Sequence, residues 1–396
     1  MIGDKSARAS SANIRSSIFS RIATTPYNIN TLQPGVDKLF RERHSGDDFI
    51  GTGSTLVDME SINLPVLQGM AARIGFGCSP LGEHGWGNID RAEMVQAIHY
   101  ALDQGINVFD ISDVYGLGRA EENLGTALIG KRRQAIIVSK FGVRVEKGRD
   151  TFYDNSERWM REALEGSLRR LRVECIDVYL LHYWDQVTPL EEVFGLLEKF
   201  RQEGKIRACG MTNMAPNKVA AKLSQQARAG LSLFSLQYNL LDRHFEGIAD
   251  EGTVSLRLPF LSWGSLAEGL LTGKFKQMPL LDDGDRRARY RNFSGERFRE
   301  NLELLEQISV VCQSLDKSMT SLSLRWILDK LPSSIALVGM KSRANVADAL
   351  QAVGWSIPQT KMSELDRITR HRYRRNVPGI QFVNSAGVAF DPDKGG

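Results

Sequence analysis

Gly105-Ile106-Asn107-Val108-Phe109-Asp110-Ile111-Ser112-Asp113-Val114-Tyr115-Gly116 is the stretch on which the fold turns. An apolar run ends in an acid, and a tyrosine follows five residues later beside a glycine. Alone, this is a strand leaving a core and entering a turn. The layout recurs downstream: "IIVSKFG" delivers Lys140 and "IDVYLLH" delivers His182 near the end of an apolar run, and "GKIRACGMTN" closes on Asn213. An Asp, a Tyr, a Lys and a His supplied this way form a proton-transfer group if the strand ends meet.

The surrounding pattern predicts that they meet. Short β-like runs stand at 73–78, 107–112, 134–141, 176–182, 206–212, 233–239, 254–263 and 335–340. Amphipathic helical patterns fill 91–104, 119–130, 156–172, 190–203, 216–229 and 300–317, with a short helix expected at 244–252. Such α/β alternation fits a (β/α)8 TIM barrel, whose usual size is ~250 residues with insertions allowed. Apolar runs with little alternation suit parallel strands buried on both faces. In that architecture the strand C-terminal ends surround one mouth, which brings Asp110, Tyr115, Lys140 and His182 together. A doubly wound sheet fits the periodicity equally well. Its GxGxxG fingerprint is missing after the first strand, so a nucleotide has to be held differently.

The barrel is expected over residues 61–375, preceded by a long, weakly ordered N-terminal extension at 1–60 and followed by a tail at 376–396. A hairpin near 55–70 is expected to cover the barrel bottom. Residues 264–299 form a long, charge-dense connection, and loops of such length are usually functional or disordered.

Bulk composition narrows the function classes. With 42% hydrophobic and 25% charged residues, the chain has ordinary soluble composition. No apolar run reaches the ~20 residues of a membrane helix, so no membrane partner is expected. A net charge of +4 is too small to argue for nucleic acid. Cys78, Cys175, Cys209 and Cys312 lie far apart with no metal-ligand spacing, which predicts no metal and free thiols in a reducing, cytoplasmic setting. Lys5, Arg8, Arg15 and Arg21 among serines suit either a transit peptide or a disordered arm, and the arm is the reading preferred. The basic run "RHRYRR" at 370–375 reads as a solvated face or an anion contact.

Taken one at a time, the four residues have bland explanations: a turn-capping acid, a half-buried aromatic, a solvated lysine and a satisfied histidine. Their local sequences change the reading. "GINVFDISDVYGLGRAEENLGTAL", "VSKFG" and "IDVYLLHYWDQVTPLEEV" resemble the signature segments of the aldo-keto reductase superfamily, and the resemblance extends over almost the whole barrel. It implies a reductase in which Asp110, Tyr115, Lys140 and His182 are the catalytic set. Tyr115 protonates the carbonyl oxygen, Lys140 paired with Asp110 lowers the phenol's pKa, and His182 donates a hydrogen bond to the same oxygen.

The resemblance also implies a cofactor, NADPH, and residues to hold it. Thr212, Asn213 and Gln237 fall on the set that binds the nicotinamide amide, Cys78 stands beside it, and Trp263 takes the place of the stacking aromatic. Gly264, Ser265, Leu266 and Lys274 fall on the pyrophosphate segment. Gly339, Lys341, Ser342 and Asp348 match the adenosine segment, while Asn345 replaces a basic residue and Ala349 an adenine-reading Asn. Recognition of a 2′-phosphate then rests on Lys341, with Arg286 as a second cation. Trp86, His84 and Trp184 are pocket-wall candidates. The expected activity is reduction of an aldehyde or ketone, a small-molecule substrate. A biosynthetic keto-deoxysugar reductase and a cofactor-sensing regulatory protein resembling potassium-channel β-subunits are the other readings. The sequence leaves the oligomeric state open.

Overall fold

Parallel strands need crossover connections, and in this chain helices supply most of them. The structure, a computed structural model, describes residues 59–67, 69–87, 89–146, 151–246, 258–282, 284–370, 382–383 and 389–390. An antiparallel hairpin comes first, β1 (Ser61–Leu64) and β2 (Gly69–Ala72). The barrel strands begin with β3 (Ile74–Gly77), β4 (Val108–Asp110) and β5 (Ile136–Phe141). A small antiparallel pair, β6 (Val143–Arg144) and β7 (Phe152–Tyr153), follows. The barrel continues through β8 (Ile176–Leu181), β9 (Ile206–Thr212), β10 (Leu231–Gln237), β11 (Phe260–Trp263) and β12 (Ser334–Gly339). These eight strands close in the order β3-β4-β5-β8-β9-β10-β11-β12, every neighbouring pair parallel. The fold is a (β/α)8 TIM barrel.

The helices are α1 (Arg91–Asp103), α2 (Arg119–Ala127), α3 (Glu157–Leu171), α4 (Leu190–Gln202), α5 (Pro216–Ala221) and α6 (Gln225–Gly230). Then come α7 (Gly295–Leu315), α8 (Met319–Lys330), α9 (Arg343–Leu350) and α10 (Gln359–Thr369). Side-chain caps set several starts. Asp90 accepts from the N–H groups of Ala92 (2.8 Å) and Glu93 (3.1 Å) ahead of α1, and Ser318 accepts from Ser321 (3.0 Å) ahead of α8. Each such cap is worth about 1 kcal/mol.

Two sequence expectations change. The single helix expected at 216–229 is two short ones, because Ser224 leaves the helix to cap α6 through Ala227 N–H (3.2 Å) and is itself held by Glu191 (2.6 Å). The helix expected at 300–317 begins five residues earlier, at Gly295. The strand expected at 254–263 is described only from residue 258 and is extended from Phe260. Most of the helix expected at 244–252 lies outside the described residues, as do nearly all of the extension, the tail and the 370–375 basic run.

The core has two layers. Outward-facing strand residues pack on the helices, and a separate cluster fills the barrel interior: Val108, Val138, Val178, Leu180, Ala208, Leu233, Leu261, Ile335 and Leu337. The hairpin sends Leu64 and Ala71 into that interior cluster and so plugs one end, as expected. Burying a side chain of this size contributes ~1.5–3 kcal/mol.

Candidate active site

Strand periodicity explains why the polar residues converge. Side chains two apart share a face, so each interior apolar residue fixes the facing of the residue two places later. Val108 leads in this way to Asp110, Val138 to Lys140, Leu180 to His182 and Leu261 to Trp263. Ala208 leads through Gly210 to Thr212, and Leu233 through Ser235 to Gln237. All of these side chains stay on the inward row and end at the open mouth opposite the hairpin.

Tyr115 arrives by a turn instead of a strand. Its position depends on a close backbone approach between Gly116 and Gly82. A Cβ on Gly116 would stand 2.3 Å from Gly82 O, and Gly116 has φ +60°. No larger residue fits at this crossing, which pins the loop carrying the phenol against the first βα turn.

Lys140 Nζ donates to Asp110 Oδ2 at 2.6 Å and to Ile111 O at 2.8 Å, with both side chains buried. The ammonium lies 5.5 Å from the centre of the Tyr115 ring. Tyr115 meets His182 edge to face, with centroids 6.1 Å apart. His182 Nδ1 is 3.2 Å from Ser112 Oγ, and its carbonyl accepts from Asn213 Nδ2 at 3.1 Å. The four residues singled out in sequence therefore share one site.

The electrostatics correct one expectation. Lys140 was expected to lower the Tyr115 pKa, yet the phenol is pushed up, first by burial and next by the charge of Asp110. The reason is local neutralisation. Lys140 is spent on Asp110, so its field at Tyr115 is largely cancelled. Arg286 opposes the rise and is the cation that acts on the phenol. Burial also raises the Asp110 carboxyl, against the pull of Lys140. The His182 imidazole is held well below its usual value by burial, then by Lys140 and Arg286, so it is neutral near pH 7.

Further round the mouth, several buried polar atoms have no partner among the described residues: Asn213 Oδ1, Ser235 Oγ, Trp263 Nε1 and Glu268 Oε2. Buried polar atoms are rarely left unpaired, and these are free to meet a ligand with amide or hydroxyl groups. Asn213 has φ +64°, a left-handed conformation that fewer side chains tolerate. Gln237 is braced by Asp242, which also holds Asn239 (3.1 Å) and Asn292 (3.0 Å). Through Asn292 the long connection is tied to the barrel.

That connection, expected to be functional or disordered, is built of short 310 turns at Ala267–Thr272, Arg286–Arg289 and Arg291–Phe293. Gly264, Ser265 and Leu266 lead into the first turn, with Ser265 Oγ donating to Ser262 O at 2.8 Å. Lys274 is exposed and Lys341 half-buried, and the pKa of each is lowered by desolvation first and by neighbouring cations next. Arg287 is the cation that acts most on each, and Asp285 is the acid that opposes them. Arg287 is itself ion-paired with Asp285, and Lys274 and Lys341 stand near that pair. Sequence reasoning missed Arg287; the signal was its place beside Arg286 in "DRR".

Two other assignments shift. Arg286 was expected to support Lys341, but its charge acts on Tyr115, His182, Glu268 and Tyr290, at the substrate end of the mouth. Its backbone N–H donates to Gly85 O at 3.0 Å, and its side-chain methylenes pack over Gly85. Cys78 follows Ile74 and Phe76 on the helix-facing row and is fully buried, so its thiol stands off the inward row. Burial raises that thiol's pKa, which makes it unreactive. Gly339 ends β12 on the inward row. Ser342 caps α9 through Asn345 N–H (3.2 Å), and Asp348 accepts from Ser318 Oγ (3.2 Å), linking α9 to the start of α8. Trp86 donates to Ser79 Oγ (2.9 Å) and its carbonyl accepts from Lys341. Trp184 donates to Thr188 O (2.7 Å), and His84 is exposed. Among the described residues no helix is long and apolar enough to cross a membrane, and no cluster of three or more metal-ligating side chains occurs. All four cysteines are free thiols.

Comparison with known proteins agrees with this architecture. The profile of the aldo/keto reductase family matches residues 73–370. Aldo-keto reductase YhdN of Bacillus subtilis is 31% identical over 301 residues, covering 75% of this chain and 90% of that protein. Aldo-keto reductase yakc [NADP(+)] of Schizosaccharomyces pombe is 30% identical over 278 residues, covering 68% and 79%. Among solved structures, the glycerol dehydrogenase AKR11B4 from Gluconobacter oxydans superposes with a TM-score of 0.71 at 31% identity, covering 81% of this chain and 98% of that one. Barrel, mouth and family match coincide over the same residues: this chain belongs to the aldo/keto reductase family and is an oxidoreductase.

Proposed function

We propose that this protein is an NADPH-dependent reductase of aldehydes or ketones, with Tyr115 as the proton donor. The observation that carries this reading is the grouping of a neutral imidazole, a fully protonated phenol and a Lys–Asp pair at one mouth, beside unpaired amide-binding atoms. The name of the fission yeast relative, which carries NADP(+), supports the choice of cofactor.

The residues fit a nicotinamide cofactor. Asn213 Oδ1 suits the N–H of a carboxamide, with Thr212 and Gln237 on the same inward rows. Trp263 stands on the adjoining strand end as a stacking surface. Lys274, Arg287 and Lys341 suit the phosphates, the last two cations favouring a 2′-phosphate. When bound, the reduced nicotinamide supplies a hydride.

This chain's own residues handle the charge that develops on the carbonyl oxygen. Tyr115 is held protonated, so a proton is ready at the phenol across the working pH range. The neutral His182 offers an N–H from Nε2 to the same oxygen and orients it. As Tyr115 releases its proton, the charge of Arg286 favours the phenolate, against burial and the Asp110 carboxylate. The test is NADPH oxidation against a panel of aldehydes, ketones and keto-sugars. Consumption with at least one carbonyl class, lost in Tyr115→Phe, is expected; no consumption with any would defeat the reading.

A further inference from the structure

Behind His182 lies a polar cluster that the proposed reaction does not use. Ser112 Oγ stands 3.2 Å from His182 Nδ1 and 3.1 Å from Asp113 Oδ1, so one hydroxyl bridges a carboxyl and the imidazole. Asp113 is 9% exposed, and among the described residues no cation pairs with it directly. From α2, Glu121 faces it, and from α3, Arg170, whose guanidinium is already bound to Glu121 at 2.7 Å. Ser139 on β5 also donates to Glu121, at 2.6 Å. From β8 the buried Tyr179 phenol faces the same carboxyl. On its own loop the Val114 N–H faces Asp113 and donates to Ser112 Oγ at 3.5 Å, and the Asp113 N–H donates to Lys140 O at 3.4 Å. Beyond Ser112, His182 faces Lys140 and Arg286, and its ring stacks on Tyr183.

A hydroxyl has one proton to give, and this decides the direction of the bridge. When Asp113 is ionised it only accepts, so Ser112 donates to it. The Ser112 oxygen then accepts from His182 Nδ1–H, and a neutral imidazole is left with a bare Nε2. When Asp113 is protonated it donates to Ser112, which is free to donate to Nδ1. The ring proton then sits on Nε2, where a substrate carbonyl accepts it.

We propose that Asp113, acting through the Ser112 hydroxyl, is a positioning residue that selects the tautomer of His182 and makes the site reduction-competent only in its acid form. The proposal rests on the reading of His182 as a donor to the carbonyl oxygen. No bond to carbon changes; one proton moves between the Asp113 carboxyl and solvent, and the imidazole proton changes nitrogen. Burial first, and Glu121 second, lift the Asp113 carboxyl to about 8, which places the change above neutral pH.

The test is nitrogen NMR of the full chain labelled with ¹⁵N-histidine, at pH ~6 and ~10, which reads the tautomer directly. The chain has 6 histidines, and the His182 signals are identified by their loss in His182→Gln. Wild type is expected to carry the proton on Nε2 at the lower pH and on Nδ1 at the higher. Asp113→Asn, whose amide donates at any pH, is expected to keep Nε2–H at both. Ser112→Ala is expected to remove the pH response as well, because the bridge is cut. In parallel, kcat/KM for carbonyl reduction is expected to fall by up to about ten-fold per pH unit above the transition in wild type, and to lose that fall in Asp113→Asn. A tautomer that does not change with pH, or one that changes identically in both variants, would overturn the proposal. An absence of turnover on every carbonyl would count against the reductase reading instead, since the NMR measurement does not depend on activity.

Discussion

The ammonium of Lys140 is 2.6 Å from Asp110 Oδ2, while the ring of Tyr115 is 5.5 Å away from it. The pair is buried and nearly neutral as a unit, so it leaves the phenol protonated, and the Asp110 carboxylate adds to burial in holding the proton there. This division of labour makes the two residues separable by experiment.

Replacing Tyr115 with Phe removes the proton and little packing, because the ring remains. Turnover is expected to fall by ~10²-fold or more with the cofactor dissociation constant unchanged. Steady-state kinetics beside a cofactor titration checks this. A rate within a few-fold of wild type would place the acid elsewhere.

Lys140→Met leaves Asp110 as an unpaired buried carboxylate. Breaking such a pair from one side costs about 3–5 kcal/mol. Burial already raises Asp110, and loss of its cation raises it further above the unfolded value of ~3.9. Between those two values the folded state binds the extra proton, so stability falls as pH rises through the window. Urea melts from pH ~4 to ~8 should show the variant's deficit growing with pH; a pH-independent deficit would contradict this.

Asp113 obeys the same sign rule. Its folded value of about 8 exceeds its unfolded one, so its ionisation costs stability that appears as pH rises towards that value. Asp113→Asn is therefore expected to gain stability relative to wild type at high pH and to gain less, or nothing, at low pH. Thermal melts at both ends of the range decide it.

Lys274 and Lys341 stand near Arg287, which is ion-paired with Asp285, and burial first and Arg287 next lower both lysines. A charge-assisted hydrogen bond to phosphate is worth ~1.5–3 kcal/mol, or roughly ten- to a hundred-fold in affinity. Lys341→Ala and Arg287→Ala should each weaken NADPH by that order and leave NADH nearly untouched. Tryptophan fluorescence, with Trp263 as the reporter at the mouth, measures both cofactors. Equal losses for NADPH and NADH would remove the 2′-phosphate from this cluster.

Gly116→Ala puts a methyl 2.3 Å from Gly82 O at a residue with φ +60°. Overpacking of this kind costs about 1–3 kcal/mol, and here it also displaces Tyr115. A loss of kcat larger than the loss of stability explains is expected. A variant with wild-type kcat would show that the crossing does not position the phenol.

Asp110, Lys140, His182, Thr212, Gln237 and Trp263 stand at or near the ends of apolar runs, and that placement is written in the chain itself. The barrel and its mouth could be read from the succession of strand and helix patterns and from the local motifs that resemble the family; that these residues share the inward row follows from the two-residue period of a strand. Other features needed the third dimension. Lys140 neutralised by Asp110 instead of acidifying Tyr115 depends on a distance between strands, which no spacing encodes. Arg286 and Arg287 are adjacent in sequence, yet one acts on Tyr115 and the other beside Lys341. Neighbouring side chains in an irregular loop follow no repeat: Arg286 packs over Gly85, while Arg287 is held by Asp285. The bridge from Asp113 through Ser112 to His182 joins residues about seventy places apart. Sequence determined which chemical groups the mouth holds; packing, through burial and pairing, decided the charge that each one carries.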